Sequence, residues 1–243
     1  MTGAPPVLVV TGLAAEARIA AGPGVATVAG GGDAARLALL MEAALARGAR
    51  AVVSFGIAGG LEPALAPGTA LIARAIHDGD ARTPADPAWV ERLAALLPDA
   101  RLRDLVGVDD AVVGRGDKAA LWRRTGAAAA DMESHVAARL AARRGLPFAA
   151  LRIVADPAER TLPPAALVGM RPDGSADVGA VLRALARRPR QLPALVRTGL
   201  DARSAFAALA AARRHLGPVF DAHGGGTAGA TLRTAGPAEV RAG

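Results

Sequence analysis

The sequence predicts an α/β fold with a largely parallel sheet covered on both faces by helices, followed by an arginine-rich helical extension. Two observations predict it. Short, continuously apolar runs alternate with longer stretches of helical character, the order in which strand–helix–strand units bury a sheet on both sides. Beyond Pro163-Pro164 the strand signal stops and the chain turns to Ala, Leu and Arg.

Residues 7–10 read as a buried first strand that ends at Thr11-Gly12, and a helix over 14–20 carries Glu16. Residues 25–28 form a second strand. The loop Gly30-Gly31-Gly32 then leads to Asp33, which stands at an N-cap position before a helix through Arg47. A strand at 51–55 runs into Gly56-Ile57-Ala58-Gly59-Gly60, read as a tight turn. Further strands are expected near 69–76, 102–108, 127–132 and 148–154, and helices over 87 to about 97, 118–124 and 134–144. Residues 176–215 read as helices broken at Pro189 and Pro193, and the chain after His223 reads as a disordered tail. The boundaries expected are an α/β domain at 1–175, a basic helical extension at 176–218 and a tail at 219–243.

Composition narrows the chemistry. There is no Cys, which removes disulfides, thiolate nucleophiles and Cys-held metal. The four His are scattered without metal-binding spacing, so a structural metal is not expected. With two Trp, four Phe and no Tyr, an aromatic platform for nucleic acid is absent. The opening residues lack a basic segment before the first apolar run, and charges interrupt every apolar stretch. A cytoplasmic protein without a signal peptide or membrane span is therefore expected. The net charge is +7. It is localised, because residues 183–214 hold eight Arg against Asp201 alone.

Three segments place an acid where a strand ends, the region in which open α/β sheets bind ligands. They are VVTGLAAE with Glu16, ADMES with Glu133, and RIVADP with Asp156. Taken singly, Glu16 also reads as a surface acid favoured by the helix dipole, and Asp156 as a turn residue, a cap or a partner of Arg152.

Taken together, TGLAAEA, AGGGDAA, SFGIAGGL, ADMESHVAA and LRIVAD resemble the nucleoside phosphorylase and nucleosidase superfamily over residues 7 to 158, particularly its branch acting on methylthioadenosine and adenosylhomocysteine. The stretch from ADMESHVAARLAARRGLPF to the arginine-rich tail is similar to the hopanoid-associated nucleoside phosphorylases, which act on adenosylhopane. The resemblance implies a three-layer phosphorylase/hydrolase-like fold with a central mixed, twisted sheet flanked by helices. It implies cleavage of the N-glycosidic bond of an adenine nucleoside, with Asp156 protonating N7 of the departing purine and Glu16 activating water. Met132 and Glu133 would hold the ribose. Val112 and Val113 fall where the family reads the purine edge, with Ile57, Ala58 and Gly59 alongside. Ile57 stands where the family has a Ser, and Ala155, before the site Asp, also stands where the family has a Ser.

The chemistry requires Asp156 to hold a proton near neutrality. Val154, Ala155 and Pro157 offer apolar surroundings, and Glu16 and Glu133 a like charge. Glu133 is expected to stay ionised and to favour the cationic sugar. No cofactor is expected. Inorganic phosphate remains open as a co-substrate, with Gly30, Gly31, Gly32 and Arg18 the candidate phosphate ligands and Arg36 and Arg74 further cations. A lipid-linked substrate would give the basic segment 183–214 a use on an anionic membrane surface, with Phe206, Leu209 and Leu216 on the apolar face. The competing use is packing on the domain or against another subunit. The resemblance also implies a homo-oligomer. Alternatives left open are a soluble nucleosidase or purine nucleoside phosphorylase, a non-catalytic adenine-nucleotide-binding protein and a dinucleotide-dependent oxidoreductase. The last is disfavoured because neither glycine cluster has GxGxxG spacing.

Overall fold

A computed structural model describes residues 4–167 and 178–217. The expected tail from 219, and the link at 168–177, lie outside the described residues. Strand β1 (Val7–Thr11) is followed by α1 (Ala14–Ala20), β2 (Val25–Ala29), α2 (Ala34–Leu45) and β3 (Ala51–Gly60). β1 lies between β2 and β3, parallel to both. Val7 and Val9 enter one core and Leu8 and Val10 the opposite one. Strand side chains alternate between faces, so a run that is apolar at every position is what two helix-covered faces require. Helix α2 starts as expected, with the Asp33 carboxylate accepting the Arg36 N–H at 2.9 Å.

The remaining elements are β4 (Ala70–Asp78), β5 (Ala81–Pro84), α3 (Pro87–Leu96), β6 (Arg101–Gly107), α4 (Arg115–Thr125), β7 (Ala129–Asp131), α5 (Ser134–Arg143), β8 (Phe148–Asp156), α6 (Pro164–Leu167), α7 (Val178–Arg187), a short 3-10 turn at Pro189–Gln191, and α8 (Leu192–His215). β8 runs parallel to β3 and antiparallel to β4, β4 is parallel to β6, β6 is parallel to β7, and β7 meets the end of β3 antiparallel. Five strands of the eight-stranded mixed sheet therefore close on themselves. β1 and β2 extend from β3, and β5 extends from β4.

Three expectations change. Residues 56–60 are not a turn: β3 continues to Gly60, pairing with β8 through Ala58↔Val154 before a register shift at Ala58/Gly59. β8 gives these backbone groups ladder partners, and past the irregularity Gly59 and Gly60 also pair with Ala130 and Ala129 of β7. β5 escaped detection because ARTP is polar and mostly exposed, leaving no apolar alternation to read. Pro193 does not break a helix, since it sits in the first turn of α8, where the missing N–H has no intrahelical acceptor to lose.

The C-terminal half of α8 belongs to the core. Ala205, Leu209, Ala212 and Leu216 are buried with Ala149, Leu151 and Ile153 of β8. Leu209 and Leu216, placed by sequence on an outward apolar face, are thus packed against the sheet, and Phe206 packs beside them.

Candidate active site

At the carboxyl ends of β1, β7 and β8 a cleft of about 210 Å³ opens, and its lining includes Glu16, Asp131, Met132, Glu133, Lys118 and Asp156. Each acid arrives by a short local route. Glu16 sits in the first turn of α1 and turns back toward β1. Its Oε2 accepts the N–H groups of Gly12 (2.9 Å) and Leu13 (2.8 Å), and its Oε1 accepts the Ile57 N–H of β3 at 2.7 Å. At 1% exposure it is no surface acid. Asp131 ends β7 and caps the start of α5, its Oδ1 accepting from Glu133 N (2.9 Å) and Ser134 N (2.7 Å). Glu133 thereby enters the cleft at the α5 N-terminus.

Two glycines let these groups meet. A Cβ at Gly12 would lie 2.6 Å from Glu133 Oε1. A Cβ at Gly56 would lie 2.6 Å from Glu16 Oε1 and 2.7 Å from an Arg152 nitrogen. The glycines of SFGIAGG thus make room for charged side chains rather than a turn.

Arg152, in mid-strand on β8 and 0% exposed, binds this half of the site together. Its Nη2 donates to Ser54 Oγ (2.6 Å) and Asp131 Oδ1 (2.9 Å) and lies 3.1 Å from Glu133 Oε2. Its Nη1 donates to the Ile57 carbonyl at 3.3 Å. One guanidinium faces three buried carboxylates. Burial pushes Glu16 up against the pull of Arg152 and of three backbone N–H groups. Burial also pushes Glu133 up to about 8, with Arg152 opposing and Asp131 and Glu16 adding to the rise. This direction runs against the expectation that Glu133 stays ionised, because desolvation beside two other acids favours its protonated form.

This has a measurable consequence. Glu133 binds its proton more tightly in the folded chain, where burial raises it from 4.5 to about 8. Its contribution to stability is complete below about pH 4 and is lost as pH rises through about 8. Glu133→Gln, which keeps the shape of the neutral acid, should raise Tm by about 3–6 °C at pH 9 and change it little at pH 5. Thermal melts at both pH values read this, and equal shifts would contradict the assignment.

Asp156 stands across the cleft at the end of β8. Its partner is Lys118 of α4, not the Arg152 considered from sequence. Lys118 Nζ donates to Asp156 Oδ2 and to the carbonyls of Pro157 and Arg160, the latter two at 3.1 Å. Burial pushes the Asp156 carboxyl up, Lys118 pulls it down, and Asp201 adds a smaller upward push. The like charge expected from Glu16 and Glu133 is therefore not what raises it. Lys118 escaped sequence reasoning, although a single lysine in an arginine-rich chain was the available signal. Asp131 and Arg152 were missed as site residues because each reads as an ordinary strand residue.

Ile57, Ala58, Gly59, Met132 and Val112 line the cleft, while Val113 does not and instead accepts the Leu162 N–H at 3.1 Å. The phosphate candidates are not brought together. Gly30, Gly31, Gly32 and Arg18 are absent from the lining, and Arg18 is exposed. The Gly30 and Gly31 amides donate to Thr11 and Gly12 carbonyls at 2.8 Å, so β1 has already used them. Arg36 donates to the carbonyls of Ala29 and Gly30, and Arg74 pairs with Asp104.

A mixed sheet covered on both faces by helices, with acids at its strand ends, is an arrangement consistent with the phosphorylase superfamily. The match to the family model described as the phosphorylase superfamily spans residues 1–192, and the chain belongs to that superfamily. Solved structures of similar fold include the 5′-methylthioadenosine/S-adenosylhomocysteine nucleosidase of Helicobacter pylori (TM-score 0.64, 12% identity, 88% of this chain and 97% of that one). Others are the S-adenosylhomocysteine nucleosidase of Streptococcus pyogenes with 5-methylthiotubericidin (0.59, 18%, 65% and 86%) and a futalosine hydrolase mutant of H. pylori (0.59, 13%, 65% and 90%). No curated protein sequence matches the chain.

Proposed function

We propose that this chain hydrolyses the N-glycosidic bond of an adenine nucleoside, releasing adenine. The observation that carries the reading is the convergence of Glu16, Glu133 and Asp156 on one cleft whose other walls include the apolar Leu61, Val108, Val112 and Leu162. In this scheme the purine lies against the apolar walls with N7 toward Asp156, and the ribose lies toward Met132 and Glu133. As the C1′–N9 bond breaks, positive charge grows on the sugar beside Glu133, and ionisation of that carboxyl becomes favourable. Glu16 takes a proton from the attacking water, and Asp156 gives one to N7. Water is preferred to phosphate because Lys118, the cation in the cleft lining, and Arg152 nearby are held by carboxylates, and the Gly30 and Gly31 amides donate to the Thr11 and Gly12 carbonyls.

The test is incubation with methylthioadenosine and with adenosylhopane, each with and without inorganic phosphate, while following free adenine and the sugar product. Adenine with free ribosyl product, independent of phosphate, supports hydrolysis. A phosphate requirement and a ribose 1-phosphate product would reverse the choice of nucleophile. No adenine from either substrate would leave a binding protein as the better reading.

One observation favours a lipid-bearing 5′ substituent. Leu192, Val196 and Leu200 lie four residues apart on α8 and are 48%, 53% and 60% exposed, with Arg187, Arg188, Arg190 and Arg197 exposed nearby. An apolar stripe flanked by arginines suits an anionic bilayer surface, at about 1 kcal/mol per basic residue. The membrane face in this reading is therefore the start of α8, not the Phe206 face. Among the described residues no helix is long and apolar enough to cross a membrane. Co-sedimentation with phosphatidylglycerol vesicles should be strong at low salt, absent with phosphatidylcholine alone, and reduced at least fivefold by Val196→Glu with Leu200→Glu. Equal binding to both vesicle types would remove the arginines' role at an anionic surface, and sedimentation with neither would remove the membrane role.

A further inference from the structure

We infer that Lys118 is the immediate source of the proton that Asp156 delivers to the departing purine, so that the acid of this site is a Lys–Asp pair sharing one mobile proton. The inference rests on the N-ribosyl cleavage proposed above and assigns a role to a residue that the carboxylate scheme leaves unused.

Three observations carry it. First, Lys118 is wholly buried in a helix whose Arg115, Arg123 and Arg124 are exposed. This buried basic side chain is part of the cleft lining. Second, its donors are fully assigned. Two are anchored on the Pro157 and Arg160 carbonyls and the third points at Asp156 Oδ2, while Asp156 Oδ1 lies toward Gly59 of the cleft wall. Third, this is the single lysine of an arginine-rich chain. Arginine supplies charge equally well but does not release its proton, whereas a lysine ammonium can pass one along a hydrogen bond to a carboxylate. The chain uses lysine where a charge that can move is needed.

The step balances. The electron pair of C1′–N9 passes to the purine, and N7 takes the proton of the Asp156 carboxyl. Asp156 takes a proton from the Lys118 ammonium, which becomes a neutral amine. The water oxygen bonds C1′ and its proton goes to Glu16. After the products leave, Glu16 gives a proton to solvent and Lys118 recovers one. Substrate entry displaces water from the cleft, which disfavours a separated ion pair and favours the neutral amine and acid. The other charged groups around the pair are Asp201 on α8, which pairs with Arg160, and Glu159 and Arg160 on the loop after β8; Asp117 precedes Lys118 on α4 and is exposed.

Lys118 acts through Asp156, so the test must move with proton supply and not merely with packing. Wild type, Lys118→Met and Lys118→Arg are compared on an adenine nucleoside (methylthioadenosine or adenosylhopane, whichever the wild type cleaves) and on p-nitrophenyl β-ribofuranoside. The nitrophenolate leaves without a proton. At pH 8 both variants should lose about 100-fold or more in kcat on the nucleoside and at most about tenfold on the nitrophenyl riboside. Lys118→Met should regain activity on the nucleoside toward pH 5, as the lone Asp156 takes a proton from solvent. Lys118→Arg should not, because its fixed charge holds Asp156 ionised. Near-wild-type nucleoside cleavage by Lys118→Arg would overturn the inference in favour of charge alone. Equal losses on both substrates at every pH would overturn it in favour of packing. If the wild type does not take the nitrophenyl riboside, the contrast between the two pH profiles decides alone. A wild type that cleaves no nucleoside overturns the nucleosidase reading itself, a result distinct from all of these.

Discussion

Asp156→Asn is expected to reduce adenine release by about 10²–10⁴-fold, the usual range for losing a positioned general acid. The amide keeps the size of the carboxyl and still accepts from Lys118, so the cleft should retain its shape while the proton donor is gone. The loss should fall mainly on kcat, because protonation of N7 belongs to the transition state and contributes little to binding the intact nucleoside. Stopped-time assays of free adenine, with KM measured alongside, check both parts. A variant with unchanged kcat would remove Asp156 from the chemistry and leave Glu16 and Glu133 as a sugar-binding pair only.

Arg152→Met should have the largest effect on the fold. The substitution removes the one guanidinium that faces Asp131, Glu133 and Glu16 and leaves three carboxylates with 6%, 6% and 1% exposure to repel one another. Removing one partner from a buried charged network costs about 3–5 kcal/mol. Each kcal/mol lowers Tm by about 2–4 °C at this chain length, so a fall of roughly 6–20 °C is expected at pH 8. The sign of the pH dependence follows from the same charges. Without Arg152 the Glu16 and Glu133 carboxyls, already raised by burial, bind protons still more tightly in the folded chain, so lowering the pH toward 5 neutralises them and shrinks the loss. A destabilisation that is equal at both pH values would show that the guanidinium acts through packing and not through charge.

The two halves of the site differed in how far they could be read from residues alone. Glu16, Glu133 and Asp156 were legible because each stands at or just past the end of a buried strand, and α/β geometry sends strand ends to one edge. The Arg152 cluster was not legible. Nothing local to LRIVAD shows that an arginine in an apolar strand faces Ser54, Asp131 and Ser134, residues up to 98 positions away. The glycine cluster at 30–32 misled for a related reason: its composition suits anion binding, yet the amides of Gly30 and Gly31 are consumed by β1. Such satisfaction is visible only once backbone partners are known.

By itself the sequence determined the alternation of strands and helices, the doubly covered sheet, and the three acids at strand ends. These are local properties, set by apolar periodicity and turn chemistry over a few residues. Only the tertiary structure decided that five strands close into a ring, that the far half of α8 is core, and which cation meets which acid. Those outcomes depend on burial and pairing between segments distant in the chain, and a buried charge takes whichever opposite charge the packing brings within reach.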